Sequence, residues 1–283
     1  MLYQTIQMQD VNTAIVMNAH SLDAERRCEN MGVYITGDCH GEWQKLIHYS
    51  RCKNLTDKDF IIVCGDFGIW NDSDGYETMK LNMLSKIKPM IVFVDGNHEN
   101  FDRLYSDEFE TVDFCGGKAQ KIRDNIYHLL RGYVFEFCGK KFFAFGGASS
   151  HDIDDGILNP DEYECWHDFM EVVNEWDKKR MMFRIKGMSW WERELPTEEE
   201  MNFGKEMLVE NDNEVDFIIS HCCPQQIAAL FSHGMYKQDV LTNYFDEIMD
   251  NTKFTRWYFG HYHDDRTIMG KFIMLYDSFE RVV

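Results

Sequence analysis

The stretch Ile61–Gly68, which reads IIVCGDFG, combines a strand pattern with a potential ligand site. Its first four residues are apolar and three of them are β-branched, which is typical of a short strand buried on both faces. Gly65 ends the run, and Asp66 follows at the carboxyl end of the strand, where open α/β sheets place their ligand crevice. Because a buried carboxylate without a partner is costly, we expect a functional reason for Asp66.

Four further apolar runs end in the same way. Each stops at a residue type that binds metal ions, and in four of the five cases a glycine comes just before that residue. These runs are Val33 to Thr36 before Asp38 and His40, Ile91 to Val94 before Asn97 and His98, Phe217 to Ser220 before His221, and Trp257 to Phe259 before His261 and His263. Helical patterns such as 76–87 lie between them, which is typical of an α/β sheet. We therefore predict one sheet system whose strand ends converge on a single site.

The composition indicates a globular protein. The chain has 283 residues, of which 44% are apolar and 14% aromatic, so it can bury a full core. No apolar run approaches the ~20 residues that a membrane helix needs, and no secretory signal is evident. The nine cysteines are odd in number and are not spaced as a disulfide framework. We therefore expect a cytoplasmic protein with reduced thiols and no membrane partner.

The net charge of −20 argues against affinity for long nucleic acids, because phosphate backbones are bound by many Lys and Arg side chains. It does not exclude a phosphorylated substrate. Bound divalent cations would reverse the local field of a carboxylate-rich site.

Three regions of the chain differ in pattern. Residues 1–30 show no clear period, and we expect either an N-terminal extension or a start site placed too early. Residues 31–150 continue as strand, loop and helix, with a β-hairpin around Gly139. Residues 152–210 are polar and acidic, with helices predicted at 161–182 and 197–210. Trp190 and Trp191 lie between those helices. We expect them in the core of a helical cap or, alternatively, in a lid or substrate wall.

Seven residues at the predicted strand ends are of metal-ligating type. Alternate residues of an extended chain share one side, so Asp38-x-His40 and His261-x-His263 each supply a pair of ligands. The remaining ligand types are Asp66, Asn97 and His221. Nitrogens mixed with carboxylate and amide oxygens suit Mn²⁺, Fe or Zn²⁺ better than Ca²⁺ or an all-oxygen Mg²⁺ cage. Seven ligands are too many for one tetrahedral ion, but they suffice for two ions that share a bridging carboxylate.

In their order along the chain, these motifs resemble those of the calcineurin-like metallophosphoesterases. The motifs are GDCHG at 37–41, GDFG at 65–68, GNHE at 96–99, the isolated His221, and GHYH at 260–263. The resemblance extends from residue 31 to about residue 265. It implies an α/β fold, a four-layer α/β/β/α sandwich of two mixed sheets. Residues 31–283 would form this domain, with a helical insert at about 152–210.

The resemblance also implies a role for each motif residue. One divalent ion would be held by Asp38, His40 and His263, a second by Asn97, His221 and His261, and Asp66 would bridge the two. Mn²⁺ is favoured as the ion, with Fe or Zn²⁺ as alternatives. A hydroxide between the ions would attack phosphorus in line, and His98 would protonate the leaving oxygen as general acid.

The chain departs from the family's protein serine/threonine phosphatases at one motif. Those enzymes carry GDxxDRG, whose Arg binds phosphate, whereas here Ile69 and Trp70 stand where its second Asp and its Arg would be. Arg103 is the nearest replacement cation, although we favour a solvated helix charge at that position. Cys39 lies between two ligands, and we expect its side chain to point away from theirs.

The expected function is metal-dependent hydrolysis of a phosphate ester, a monoester or a diester, in a phosphorylated substrate of unknown identity. A nucleotide phosphodiesterase or nuclease on the same scaffold is the alternative. A third hypothesis is a non-catalytic, metal-stabilised binding scaffold with residues 152–210 as its interaction surface. The presence of every motif residue, including His98, argues against that third hypothesis.

Overall fold

Two β-sheets form the centre of the fold in a computed structural model, which describes residues 31–70, 75–232 and 234–283. The predicted N-terminal extension, residues 1–30, lies outside the described residues. The spatial order of the first sheet is Phe279–Arg281 (β15), Val33–Thr36 (β1), Phe60–Val63 (β2), Met90–Phe93 (β3), Ile126–Leu129 (β6), Gly117–Arg123 (β5) and Glu110–Phe114 (β4). The order of the second sheet is Arg266–Ile268 (β13), Phe272–Met274 (β14), Arg256–Phe259 (β12), Phe217–Ser220 (β11), Lys140–Phe145 (β8) and Val134–Phe137 (β7).

Parallel strands occupy the middle of both sheets. β1, β2, β3 and β6 run parallel to one another, as do β8, β11, β12 and β14. Antiparallel strands lie at the edges, so both sheets are mixed. Parallel strands covered on both faces read as continuous apolar runs. Ile61, Ile62 and Val63 are fully buried, which confirms the strand predicted from this stretch.

Helices cover the outer faces of the two sheets. The described helices are Gln44–Cys52 (α1), Tyr76–Leu84 (α2), Phe101–Leu104 (α3), Trp166–Lys178 (α4), Glu198–Glu210 (α5), Gln225–Ser232 (α6) and Val240–Asn251 (α7), and all of them except α4 contribute to the clusters on these outer faces. Leu46, Leu81 and Leu104 bring α1, α2 and α3 onto the first sheet. On the second sheet, α5, α6 and α7 pack through Leu208, Ile227 and Leu241. None of the helices within the described ranges combines the length and the apolar character needed to cross a membrane.

The pleat of the strands divides the core into layers, because successive side chains point to opposite faces. Ile62 packs between the sheets, in one cluster with Phe142 and Ile219 of the second sheet. Its neighbours Ile61 and Val63 belong to the cluster under α1 and α2. The molecule therefore has four layers in the order helix, sheet, sheet and helix, and the predicted α/β/β/α sandwich of two mixed sheets is confirmed.

Residues 152–210 contain more than the two predicted helices. α4 is shorter than the predicted 161–182, because a 3₁₀ turn at Pro160–Glu162 precedes it and the strand Phe183–Ile185 (β10) follows it. β10 pairs in parallel with Gly156–Leu158 (β9). Three-residue strands leave little pattern in a sequence, and this small sheet was not predicted.

The second predicted helix of this region begins where the sequence indicates. Thr197 is the N-cap of α5, and its side chain and that of Glu200 form a capping box. Leu208 on α5 is buried in the cluster on the outer face of the second sheet, so α5 contributes to a main layer of the sandwich. The division of the domain into a sandwich and an insert at 152–210 remains a prediction.

A buried ionic network ties this region to the sheets. The Asp95 carboxylate, just after β3, accepts from Arg131 Nε at 2.9 Å and lies 3.1 Å from His128 Nε2. Arg131 also donates to the carbonyl oxygen of Arg193 at 2.7 Å, and its Nη1 lies 3.3 Å from Glu200. Burial opposes ionisation of Asp95, but the Arg131 charge and the His128 contact hold its pKa well below the usual range.

We predict that Asp95→Asn lowers the free energy of unfolding by about 3 kcal/mol, because it leaves the buried Arg131 guanidinium without its counter-charge. Urea denaturation of the purified variants measures this loss. Glu175→Gln is the matched control, since Glu175 pairs with Lys179 on the exposed face of α4 and its removal should leave stability unchanged within error. Equal stability of the Asp95 variant and the wild type would contradict a stabilising role for the Asp95–Arg131 pair.

Candidate metal centre

The eight predicted site residues all lie just beyond the carboxyl ends of five parallel strands. β1, β2 and β3 belong to one sheet, and β11 and β12 belong to the other. Among the described residues, three groups of His and carboxylate side chains have ligand atoms within 4.8 Å of one another. They are Asp38 with His40 and His263, His40 with Asp66 and His98, and Asp38 with Asp66 and His221. The strand ends of the two sheets therefore form one cleft.

Asp38 forms one end of this centre. Its Oδ2 lies 3.1 Å from His263 Nε2 and 3.6 Å from His40 Nε2. The two imidazole nitrogens are themselves 3.0 Å apart. Asp38 Oδ2 is buried and has no partner in hydrogen-bond geometry. A buried carboxylate oxygen without a hydrogen bond, faced by two imidazole nitrogens, is the arrangement expected around a divalent cation.

Asp66 lies between that group and a second one. Its Oδ2 is 3.7 Å from His40 Nδ1, whereas its Oδ1 is 3.3 Å from His221 Nε2. Oδ1 also accepts the main-chain N–H of His98 at 2.8 Å. One oxygen thus faces each group, which is the orientation that a bridging carboxylate needs.

His221 is oriented by the main chain of the central stretch. Its Nδ1 lies 2.7 Å from the Cys64 carbonyl oxygen and donates to it, which leaves Nε2 directed at Asp66 and, at 3.3 Å, at Asn97 Oδ1. Burial opposes protonation of the ring, but Asp66 and Asp38 raise the pKa of His221 to about 10. The carboxylates of this centre thus favour positive charge at a fully buried position. The donor set fits divalent cations.

His261 is less closely placed than the other predicted ligands. Its main-chain N–H donates to Asp38 Oδ1 at 2.9 Å, and its ring packs against His221 with the centroids 4.9 Å apart. No ring nitrogen of His261 belongs to the three groups found among the described residues. Burial lowers its pKa well below the usual value, so the ring is neutral and able to act as a ligand. Its role as a ligand remains a prediction.

Crowding at the centre explains the glycines that precede the ligands. A Cβ atom on Gly96 would lie 2.0 Å from Asp66 Oδ1, and one on Gly260 would lie 2.1 Å from Asp38 Oδ1. The predicted ligands themselves adopt left-handed backbone angles, with φ of 49° at His40, 47° at Asp66 and 51° at His263. Such angles are uncommon for residues with side chains and concentrate at functional sites.

Glu99, the last residue of GNHE, holds the loop that carries Asp66. Its carboxylate is fully buried and accepts the main-chain N–H of Ile69 at 2.7 Å and of Gly68 at 3.2 Å. Burial and the charge of Asp66 raise its pKa well above the usual value. Cys39 belongs to none of the ligand groups, because its side chain is buried in the cluster under α1, and burial raises the pKa of its thiol to about 12.

Arg184 is a residue of the cleft that the sequence did not reveal. It lies on β10, and its Nη2 is 3.2 Å from His98 Nε2. Its Nε donates to Asp152 Oδ1 at 2.6 Å, and its Nη1 donates to the Ser189 carbonyl at 2.9 Å. The cation that faces the cleft therefore comes from residues 152–210. No motif surrounds Arg184, so only its spatial neighbours identify it.

Arg103, the cation considered from the sequence, is occupied elsewhere. Its guanidinium pairs with Glu77 and Glu108, and its side chain is only 14% exposed. The expectation of a solvated charge is therefore wrong, because the two carboxylates hold the guanidinium against the protein.

Ser150 supports Asn97, one of the predicted ligands. Ser150 Oγ accepts from Asn97 Nδ2 at 3.4 Å and donates to Glu194 Oε2 at 2.8 Å. Glu194 is buried, its Oε1 has no hydrogen-bond partner, and burial raises its pKa to about 8 despite the bonds from Ser150. These two hydrogen bonds orient the Asn97 amide so that its oxygen faces His221.

The family model of the calcineurin-like phosphoesterases matches residues 31–265. Among solved structures, the chain is similar to phosphopantetheinyl hydrolase (PptH) from Mycobacterium tuberculosis, with 14% identity, 87% of this chain and 90% of that chain covered, and a TM-score of 0.43. It is also similar to the protein of unknown function AQ665 from Aquifex aeolicus, with 18% identity, 58% of this chain and 82% of that chain covered, and a TM-score of 0.22. No curated protein matches the sequence significantly.

We predict that Glu194→Gln changes how stability depends on pH. The folded-state pKa of Glu194, about 8, lies above its ordinary value of 4.5, so the native state keeps a proton that the unfolded chain loses. The wild type therefore loses stability as pH rises between those values, whereas the neutral glutamine does not. Between about pH 6 and about pH 9, the variant should gain about 2 kcal/mol relative to the wild type.

Urea denaturation of both proteins in a chelator at the two pH values measures this difference. Glu199→Gln is the matched control, since Glu199 lies on the exposed first turn of α5, and its profile should follow the wild type. Parallel profiles of the wild type and the Glu194 variant would refute a neutral Glu194 in the native state.

Proposed function

The chain belongs to the calcineurin-like phosphoesterase family, and from this premise we propose that it hydrolyses a phosphate monoester or diester in the cleft around Asp66. The observation that carries the proposal is the convergence of Asp38, Asp66, His40, His221 and His263 in one cleft, where a buried oxygen of Asp38 lacks a hydrogen bond. Metal-dependent chemistry in this family requires such a set of ligands.

We assign the ligands in two groups. Asp38, His40 and His263 would hold one divalent ion, Asn97, His221 and His261 a second, and Asp66 both. When bound, the two ions would activate a water molecule and neutralise negative charge on the phosphoryl oxygens. Imidazole nitrogens with carboxylate oxygens suit Mn²⁺, with Fe and Zn²⁺ as the alternatives.

His98 would act as the general acid at the leaving oxygen. It lies at the cleft, with its ring edge-on to that of His40 at a centroid distance of 5.0 Å. Burial and the nearby Arg184 lower its pKa in the free protein, whereas Asp66 opposes this shift. A bound phosphoester brings negative charge that stabilises the imidazolium, so the proton would be taken up with the substrate and passed to the leaving group.

The charge of the protein favours a small substrate. With a net charge of −20, the chain would repel a long phosphate backbone, whereas a small phosphoester needs only the local field of the centre. We therefore propose a small phosphorylated molecule as the substrate.

Metal-stripped protein is expected to regain hydrolysis of p-nitrophenyl phosphate or bis-p-nitrophenyl phosphate when Mn²⁺, Zn²⁺ or Mg²⁺ is added. Asp66→Asn should lower the restored rate by roughly 100-fold or more, because it removes the carboxylate shared by both groups. Asp113→Asn, at a side chain that is 91% exposed on β4, is the matched control and should behave as the wild type. Hydrolysis that does not depend on added metal would rule the proposal out. The ratio of the two rates separates a monoesterase from a diesterase.

His98→Ala should lower kcat by about 10²- to 10⁴-fold, the range expected for loss of a general acid, while the bound metal measured by elemental analysis stays constant. The loss should be larger for phenyl than for p-nitrophenyl esters, because a good leaving group needs less protonation. His167→Ala, on the exposed face of α4, is the control. Equal losses for the two leaving groups would remove His98 from this role.

A further inference from the structure

We propose that a cavity beside His98, walled by Trp70, Met188 and Trp191, binds the leaving group of the substrate, and that this group is a planar ring system. The ring would be joined to the ester oxygen directly or through a single carbon. The inference rests on the proposed phosphoesterase function and specifies its substrate class.

The cavity lies directly beside the metal centre. Its volume is about 220 Å³, and it is continuous in its lining with the cleft at the metal centre, whose volume is about 250 Å³. Asn97, His98 and Arg184 line both spaces. His98 therefore stands at the junction, with the ligands on one side and the cavity on the other. A group whose oxygen receives a proton from His98 would extend into this cavity.

The walls indicate the chemistry of the occupant. Trp70 Nε1 donates to the His98 carbonyl at 2.6 Å, and Trp191 Nε1 donates to Asp102 Oδ2 at 2.8 Å. The single N–H of each indole is already hydrogen-bonded within the protein, so each indole presents only its apolar ring surface to the cavity. Trp70 is 43% exposed and Met188 54% exposed, which leaves large apolar side chains at the opening. Aromatic and thioether surfaces of this kind favour flat apolar groups.

The size of the cavity limits the occupant to part of a substrate. Pockets that enclose a whole small molecule measure roughly 300–1,000 Å³, so about 220 Å³ accommodates one ring system. Because the lining begins at His98, the ring must start close to the ester oxygen. A ring on a long flexible linker would have to fold back onto these walls, and ordering the linker would cost conformational entropy.

Arg184 links the cavity to the phosphoryl group. It is 9% exposed, and its guanidinium is held by the Asp152 carboxylate and the Ser189 carbonyl while Nη2 faces His98. Ser189 lies between Met188 and Trp191 in sequence, so the cation at the centre and the apolar wall belong to one connected unit. We assign phosphate binding to Arg184 and ring binding to the tryptophans.

The test compares phenyl phosphate with 2-naphthyl phosphate, whose leaving groups are similar in acidity but differ by one ring. For the Mn²⁺-loaded wild type, kcat/KM should favour the naphthyl ester by about tenfold, because the second ring is stacked and buried. Trp70→Leu and Trp191→Leu should each bring the ratio to within about twofold of unity, since leucine keeps apolar volume without a flat face. Arg184→Gln should lower kcat/KM for both esters and leave the ratio unchanged.

Trp166→Leu is the matched control, since Trp166 on α4 is 57% exposed and lies outside the lining of both spaces. This variant should keep the ratio of the wild type. Thermal melting verifies that every variant is folded, and the ratio within one protein is independent of its active fraction. An unchanged ratio in both cavity variants would overturn the proposal.

A binding measurement separates this inference from the proposed function. Calorimetry of the Mn²⁺-loaded protein with methylphosphonate and with 2-naphthylmethylphosphonate requires no turnover. If neither ester is hydrolysed but the naphthyl ligand binds about tenfold more tightly, and the tryptophan variants lose this preference, the cavity stands and the phosphoesterase proposal fails. Equal binding of the two phosphonates, with or without hydrolysis, would refute the cavity as a ring site.

Discussion

The architecture of the centre depends on one electrostatic constraint, the burial of two carboxylates at neighbouring strand ends. Asp38 and Asp66 are 2% and 1% exposed, and their strands β1 and β2 are adjacent in the same sheet. Within the described chain, the ion-pair partners of both carboxylates are imidazoles, not Lys or Arg. An imidazole compensates a carboxylate only when protonated, yet it is a good metal ligand when neutral. A divalent cation would neutralise the two carboxylates and also bind the neutral imidazoles. This charge arrangement therefore favours a metal centre over a purely structural network.

That constraint explains the local backbone. To bring the donors of two sheets to one point, the main chain must pass within contact distance of the ligand side chains. At Gly65 a Cβ atom would lie 2.2 Å from His221 Nδ1, so this central stretch could carry no side chain there. The left-handed angles at the ligands follow from the same crowding, and each costs of order 1–3 kcal/mol. They are tolerated because they lie just past the strands, where the closely packed sheets determine the direction of the chain.

Features encoded by short, local patterns were predictable, and features created by distant contacts were not. The buried parallel strands and the ligands at their ends follow from consecutive residues, so the sandwich and the composition of the centre could be predicted from the sequence. Arg184 meets His98 across 86 positions, and Glu194 meets Ser150 across 44. No periodicity or spacing records such contacts. The ends of α4 and the three-residue strands β9 and β10 were missed because elements this short carry too little pattern to distinguish them from a continuing helix.

Two parts of the chain form the cleft. In the proposed function, the strand ends carry the chemistry and residues 152–210 contribute to substrate selectivity. The strand ends of the two sheets supply every assigned metal ligand and the proposed acid, His98, on a closely packed scaffold. Residues 152–210 supply Arg184, Trp191 and Glu194, the acceptor of the Ser150 hydroxyl that contacts Asn97. They are fastened to the scaffold by the buried bonds of Arg131 to Asp95 and to the Arg193 carbonyl. Because these bonds lie outside the cleft, the region is held in place independently of any substrate. A wall fixed in this way would select the proposed leaving group by shape before chemistry begins, which is the arrangement that a specific hydrolase requires and that a scaffold with metals of purely structural importance would not need.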